Sequence, residues 1–167
     1  MKPISIWSLV LWFVISVVAG DQYSTWAVAN SFHVPLSPLS LTLSILVVAI
    51  ALILLALPIY RYKRALKKIL EAKDGANLKR PLPVDPFYAV RVLLLAKASA
   101  ITSTIFIGWH AGIIFFLVTA PVIAREAIMP NLLAGIASIV LLTVAFIVQG
   151  ICKLPSDSGP KDDTVAI

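Results

Sequence analysis

The chain has 167 residues, of which 60% are hydrophobic and 13% charged, with a formal net charge of +6 and a mean hydropathy of +0.97. Water-soluble domains are about half apolar and about a quarter charged, so this composition excludes a soluble globular protein and places the chain in a membrane. The length leaves no room for a soluble domain beside several spans, and the single cysteine, Cys152, excludes an intrachain disulfide and a multi-cysteine metal site.

A helix crosses the hydrocarbon core of about 30 Å with about 20 apolar residues. The first run that qualifies is residues 4–20 (ISIWSLVLWFVISVVAG). Lys2, the apolar stretch and the small pair Ala19 and Gly20 imitate a secretory signal with its cleavage site. Two features point instead to a retained helix. The run exceeds a usual signal core, and Trp26, Ala27, Val28 and Ala29 can carry the helix further. A connection with Pro35 and Pro38 around a Ser-containing turn leads to the second run, residues 39–59, which holds no charge.

The basic segment follows at once. Arg61, Lys63, Arg64, Lys67, Lys68, Lys73, Lys79 and Arg80 lie between two long apolar runs. Its first half is amphipathic, with Tyr62, Leu66, Ile69 and Leu70 at helical spacing, and predicts a helical extension of the second span that stops near Gly75. Asp85-Pro86 is a helix start, with aspartate as cap and proline at the first helical position. The third span, residues 98–118, sits within a helix that begins at 86. The fourth is residues 132–152, and the polar Pro/Ser/Gly-containing tail, 155–167, reads as a disordered cytoplasmic segment. The expected architecture is therefore an all-α integral membrane domain over residues 1–154, with four transmembrane helices in one bundle.

Charge gives the orientation. Lys2, the basic segment, Arg91, Lys153 and Lys161 fall on one side of a four-span arrangement, and Asp21, His33, Arg125 and Glu126 on the other. Loops on the cytoplasmic side carry the excess of lysine and arginine, so both termini are expected there. Trp26 and Trp109 are expected as aromatic anchors. No basic helix or aromatic platform stands apart from the bilayer, which argues against nucleic acid as a partner.

Several side chains qualify as candidate sites. Ala96, Ala100, Thr104, Gly108 and Gly112 repeat every four residues and leave one flat ridge on the third span, suited to close helix packing. The ridge is expected to face Ala134 and Ser138 of the fourth span, with a homodimer seam through the GxxxG of Gly108 and Gly112 as the alternative. His110 is the titratable group well inside a span, a polar site whose expected partners are Thr119, Gln22 or water. Ser99, Thr102, Ser103 and Thr104 make the first half of the third span hydroxyl-rich, with Gln149 as an expected partner. Lys97 borders the apolar run, where its ammonium can reach the headgroups. Arg61, Lys63, Arg64, Lys67, Lys68, Arg91 and Lys97 together form a basic surface suited to anionic lipid or an acidic partner. No HExxH, GxSxG or GxxxxGK[ST] pattern occurs, and no carboxylate pair lies within a span, so no catalysis, metal or cofactor is expected.

Asp85-Pro86, Ala89, Arg91, Leu95-Ala96-Lys97-Ala98, Gly108-Trp109 and Gly112 resemble the central signature of an actinobacterial family of small membrane proteins, catalogued as domain of unknown function 3180. Met1-Lys2-Pro3 with Ser5, and Leu57-Pro58 before a basic loop, are similar as well. The resemblance covers the chain to about Leu154. It implies a retained first helix and an actinobacterial plasma membrane. The longer lysine-rich loop, and Ser/Thr where relatives carry Ala and Gly, depart from the pattern. The functional expectation is a non-enzymatic structural or accessory subunit that contacts anionic lipid or a membrane protein partner. The alternative is a small transporter or channel component using the polar face of the third helix.

Overall fold

The computed structural model describes residues 5–33, 35–71, 85–119 and 125–152. They form four α-helices, α1 (Ile6–Ala29), α2 (Leu39–Glu71), α3 (Pro86–Thr119) and α4 (Arg125–Cys152). Each is long and apolar enough to cross a membrane. Among the described residues there is no strand. The expected four-span, all-helical architecture is observed, with boundaries that differ at two places.

The first difference is that α1 runs past the apolar stretch 4–20 through Asp21 and Gln22 to Ala29, the extension that Trp26, Ala27, Val28 and Ala29 allow. It ends in a Schellman turn: the Ser31 amide bonds the Val28 carbonyl (3.1 Å) and the Phe32 amide bonds the Ala27 carbonyl (2.8 Å). Ser31 takes the left-handed conformation that this turn requires, with φ 60°. Phe32 stacks on Trp26, six residues earlier, at 5.8 Å between ring centroids, and supplies the hydrophobic contact typical of the motif.

The second difference is the start of α4. Residues 125–131, expected in the connection, are helical, with Pro130 inside the helix. A proline there removes one backbone donor and leaves the carbonyl of Glu126 without its intrahelical partner. Pro58 does the same in α2, opposite Leu54. One residue on, the Leu55 carbonyl receives the Tyr88 hydroxyl at 2.9 Å, so α3 supplies a hydrogen bond beside the break. At the α3 start, the Phe87 amide bonds the Asp85 carboxylate at 3.0 Å, which is the aspartate cap.

The helices pack in the order α1, α3, α4, α2, with a weaker contact of α2 on α3. On α2 the buried positions are Ile45, Ala49, Leu52, Ala56 and Ile59; on α4 they include Ala134, Ala137, Ser138, Leu141, Ala145, Val148 and Cys152. Spacings of three and four residues alternate along both, the pattern of a left-handed seam at a shallow crossing angle. Lipid tails are as apolar as leucine, so this seam is held by close packing rather than by escape from water. Alanine at three of these α4 positions lets the backbones approach. Large apolar side chains point outward, as with Trp7, which is 84% exposed.

The seam between α1 and α3 is tighter still. An ideal Cβ built on Gly108 would lie 2.6 Å from the Phe13 carbonyl oxygen and 2.7 Å from the Ser16 Cβ. One on Gly112 would overlap the Val17 carbonyl oxygen and stand 2.9 Å from the Asp21 amide nitrogen. One on Gly20 would meet the Trp109 carbonyl oxygen at 2.5 Å. Glycine at these three positions is therefore a steric requirement. The facing ridge is Ser16, Gly20, Ser24 and Ala27 of α1, all buried, and the expected facing ridge, Ala134 and Ser138, is not what Gly108 and Gly112 meet. The physical reason is the drift of a four-residue row, about 40° per step, or about 160° from Ala96 to Gly112. Ala96 accordingly belongs to the cluster with α2 and α4, while Gly108 and Gly112 have turned toward α1.

Candidate functional site

Two polar constellations stand out, one at each end of the bundle. The first lies away from the basic segment and joins α3, α4 and the connection between α1 and α2. His110 of α3 is 3% exposed and Asn131 of α4 is fully buried. Gly135 of α4 faces His110: a Cβ built there would sit 3.7 Å from the His110 Cβ, an ordinary van der Waals contact. The Asn131 amide nitrogen donates to the Ala127 carbonyl (2.8 Å) and to the Pro35 carbonyl (3.1 Å). Those two acceptors fix the amide orientation, and its oxygen must face the other way. That oxygen accepts from the Ser37 hydroxyl at 2.8 Å and lies 3.2 Å from His110 Nδ1.

An amide oxygen only accepts, so Nδ1 must carry the proton. The Ser37 oxygen, 3.3 Å from Nδ1, shares that proton as a second acceptor. In the neutral ring, Nε2 then presents a bare lone pair. It is buried and has no hydrogen-bond partner among the described residues. The ring also stacks on Phe106, with centroids 6.3 Å apart and planes 15° apart.

Serine, histidine and asparagine in contact invite comparison with a nucleophilic triad, and the geometry excludes one. A triad places the nucleophile on one ring nitrogen and the orienting group on the other. Here Ser37 and Asn131 share Nδ1, and the serine proton points to the amide oxygen. What the cluster does is fasten residues 35–37 to the ends of α3 and α4. Thr119, one of the expected partners of His110, instead donates to the Phe115 and Phe116 carbonyls of its own helix.

The second constellation is the basic end. Helix α2 runs without interruption from its apolar run into the basic residues. Arg61 and Arg64 are exposed on it, and Lys63 is half-buried. The Lys63 ammonium donates to the Ile151 carbonyl at 3.1 Å. Ile151 is in the last turn of α4, where carbonyls lack intrahelical partners and the helix end carries partial negative charge, so Lys63 caps α4. Arg91 is exposed and Lys97 half-buried on the first turns of α3, at the same end. Lys67 and Lys68 lie on α2, but their side chains, and the residues 72–84 and 153–167 with the Gly75 stop and the tail, fall outside the described residues.

Three of the four hydroxyls in the hydroxyl-rich half of α3 bond within their own helix. Thr102 bonds the Ala98 carbonyl, and Ser103 and Thr104 both bond that of Ala100. Gln149 reaches the Ala96 backbone at 3.4 Å rather than any of these hydroxyls. Trp26 is exposed, and Trp109 packs on Tyr23 at 5.4 Å.

A family model described as "Protein of unknown function (DUF3180)" matches residues 9–156. The chain belongs to that family. The matched region runs from inside α1 to just past α4, so both constellations lie within it. No curated protein and no solved structure matches the chain.

Ser37, Asn131 and the α1 ridge were missed by the sequence reading. Ser16, Gly20 and Ser24 carry a legible signal, small residues four apart. Asn131 immediately precedes the fourth apolar run and so falls in the expected connection, and Ser37 has no signal beyond its place in a turn.

Proposed function

We propose that the protein is a non-enzymatic accessory or structural subunit of a plasma membrane, with both termini cytoplasmic, that engages anionic lipid headgroups through its basic end. The observation that carries this reading is the continuity of α2. A single helix takes Arg61 and Arg64 from the apolar run to the exposed position just beyond it. Lys63 on the same stretch pins that helix to the end of α4. Cations held on a rigid helix at headgroup level attract anionic lipid by roughly 1 kcal/mol each. The same excess of lysine and arginine supports the cytoplasmic assignment of this end.

Transport along α3 draws less support, because the hydroxyls of Thr102, Ser103 and Thr104 are spent on backbone carbonyls of their own helix. An acidic protein partner would use the same surface and is an outcome of the same test. Purified protein in mild detergent is offered equal amounts of phosphatidylglycerol and phosphatidylcholine, and bound lipid is counted by native mass spectrometry. The wild type retains phosphatidylglycerol preferentially. Replacing Arg61, Arg64 and Arg91 together by Gln weakens that binding on the order of a hundredfold, from three contributions of roughly 1 kcal/mol. Equal retention of both lipids by the wild type overturns the reading, and a co-purifying acidic protein displaced by the same variant redirects it to a protein partner.

A further inference from the structure

Between α2 and α4, in the half of the bundle nearest the basic end, lies an open apolar groove of about 270 Å³. Ile53, Leu57 and Tyr60 form one wall, and Val144, Ile147 and Ile151 the other. Its floor is Ala56 and Val148, both buried. The small Ala56 creates the depth: larger side chains above and below it stand out on either side. No polar side chain other than the Tyr60 phenol lines it.

The wall on α2 continues the charge pattern. Ile53, Leu57, Tyr60 and Arg64 follow one another at four, three and four residues, so they share one face of the helix. One turn beyond the groove, that face therefore presents Arg64, which is exposed. Tyr60 stands between the apolar wall and the arginine, at the level where amphipathic aromatic rings are favoured. From Ile53 to Tyr60 the groove runs about 10 Å along the axis, against about 15 Å for the hydrocarbon of one leaflet.

We propose that this groove holds one acyl chain of an anionic phospholipid whose headgroup is met by Arg64. The inference rests on the reading that the basic end recognises anionic lipid, and adds to it a defined seat in place of a diffuse attraction. Charge complementarity selects the occupant. An apolar side chain or helix from another protein would fill the groove equally well, but would leave Arg64 without an anion at its mouth. A phospholipid supplies both parts at the spacing that the helix face sets.

The test uses the full-length protein in nanodiscs containing a trace of phosphatidylglycerol with a diazirine in one acyl chain, and, separately, phosphatidylcholine with the same chain. After illumination, labelled peptides are mapped by mass spectrometry. The proposal predicts that phosphatidylglycerol labels residues 53–60 and 144–151 about fivefold more than phosphatidylcholine does, the effect of one cation of roughly 1 kcal/mol. Arg64→Gln removes the preference and leaves the phosphatidylcholine signal unchanged. Ile147→Trp, at an exposed wall position, lowers labelling of the groove by either lipid.

Label spread evenly over the lipid-facing sides of all four helices overturns the groove, and the proposed function still stands if phosphatidylglycerol is retained selectively. Label confined to the groove but equal for both lipids overturns the role of Arg64 and counts against the proposed function as well. An unchanged preference in Arg64→Gln overturns the assignment of the headgroup to that residue.

Discussion

His110 donates its Nδ1 proton to the side-chain oxygen of Asn131, 3.2 Å away, and the amide is held in that orientation by two backbone carbonyls. Asn131 thus joins α3, α4 and the connection after α1 through one side chain. Buried polar groups that lose their partners cost more than the bonds they made were worth, roughly 1–3 kcal/mol each.

Asn131→Ala strands the Ser37 hydroxyl proton and the Pro35 carbonyl and leaves His110 Nδ1 only its longer contact with Ser37, whereas Ser37→Ala removes one donor and leaves the Asn131–His110 contact. Asn131→Ala is expected to lower unfolding stability by about 2 kcal/mol and Ser37→Ala by about 1 kcal/mol or less. Denaturation of both variants in mixed micelles checks the order. Equal losses, or a larger one for Ser37→Ala, would contradict the tautomer deduced above.

Glycine at position 112 is required by backbone of α1, which cannot swing aside as a side chain can. Gly112→Ala is expected to separate α1 from α3 and to cost several kcal/mol, in the range of overpacked sites. Gly150 is the internal control, since nothing lies within 4 Å of a Cβ built there. Gly150→Ala should be neutral or stabilising by up to about 1 kcal/mol, because glycine is a poor helix former. Thermal unfolding of the pair, with crosslinking between cysteines placed on α1 and α3, separates the two cases.

The left-handed Ser31 is a residue where glycine costs nothing sterically. Ser31→Gly keeps both hydrogen bonds of the turn and relieves roughly 1 kcal/mol of backbone strain, partly offset by the greater freedom of the unfolded chain. A rise in stability of about 0.5 kcal/mol is the expected result. A fall would mean that the Ser31 side chain contributes more than its backbone conformation costs.

Much of this architecture was legible in the sequence. The four apolar runs, the aspartate cap before Pro86 and the continuation of α2 into the basic segment follow from composition and periodicity, which report on single helices. What was not legible concerns pairs of helices. The row from Ala96 to Gly112 reads as one ridge on paper, yet its drift around the helix gives it two different neighbours. His110 was visible as a buried polar group, but its partners lie 73 residues before it and 21 after it in the chain. Asn131 stands one residue before the apolar run at 132, and hydropathy alone does not show that the helix begins earlier, at Arg125.

The proposed cytoplasmic placement of the basic end gives a direct expectation. A cysteine at position 31 should react with a membrane-impermeant maleimide added to intact cells, and one at position 64 only after permeabilisation. The native Cys152 is buried and is replaced by Ala in both variants. The reverse pattern would invert the orientation and place the basic surface on the far leaflet.

The account stands on selective recognition of anionic lipid by the basic end, and salt tests it most directly. The preference of the full-length protein for phosphatidylglycerol over phosphatidylcholine is measured in nanodiscs from about 0.01 M to about 1 M salt, as the screening length falls from about 30 Å to about 3 Å. The account predicts a clear preference at low salt that shrinks steadily with ionic strength and is largely lost when Arg61, Arg64 and Arg91 are replaced by Gln. No preference at low salt, or one that neither salt nor the triple replacement alters, would contradict it.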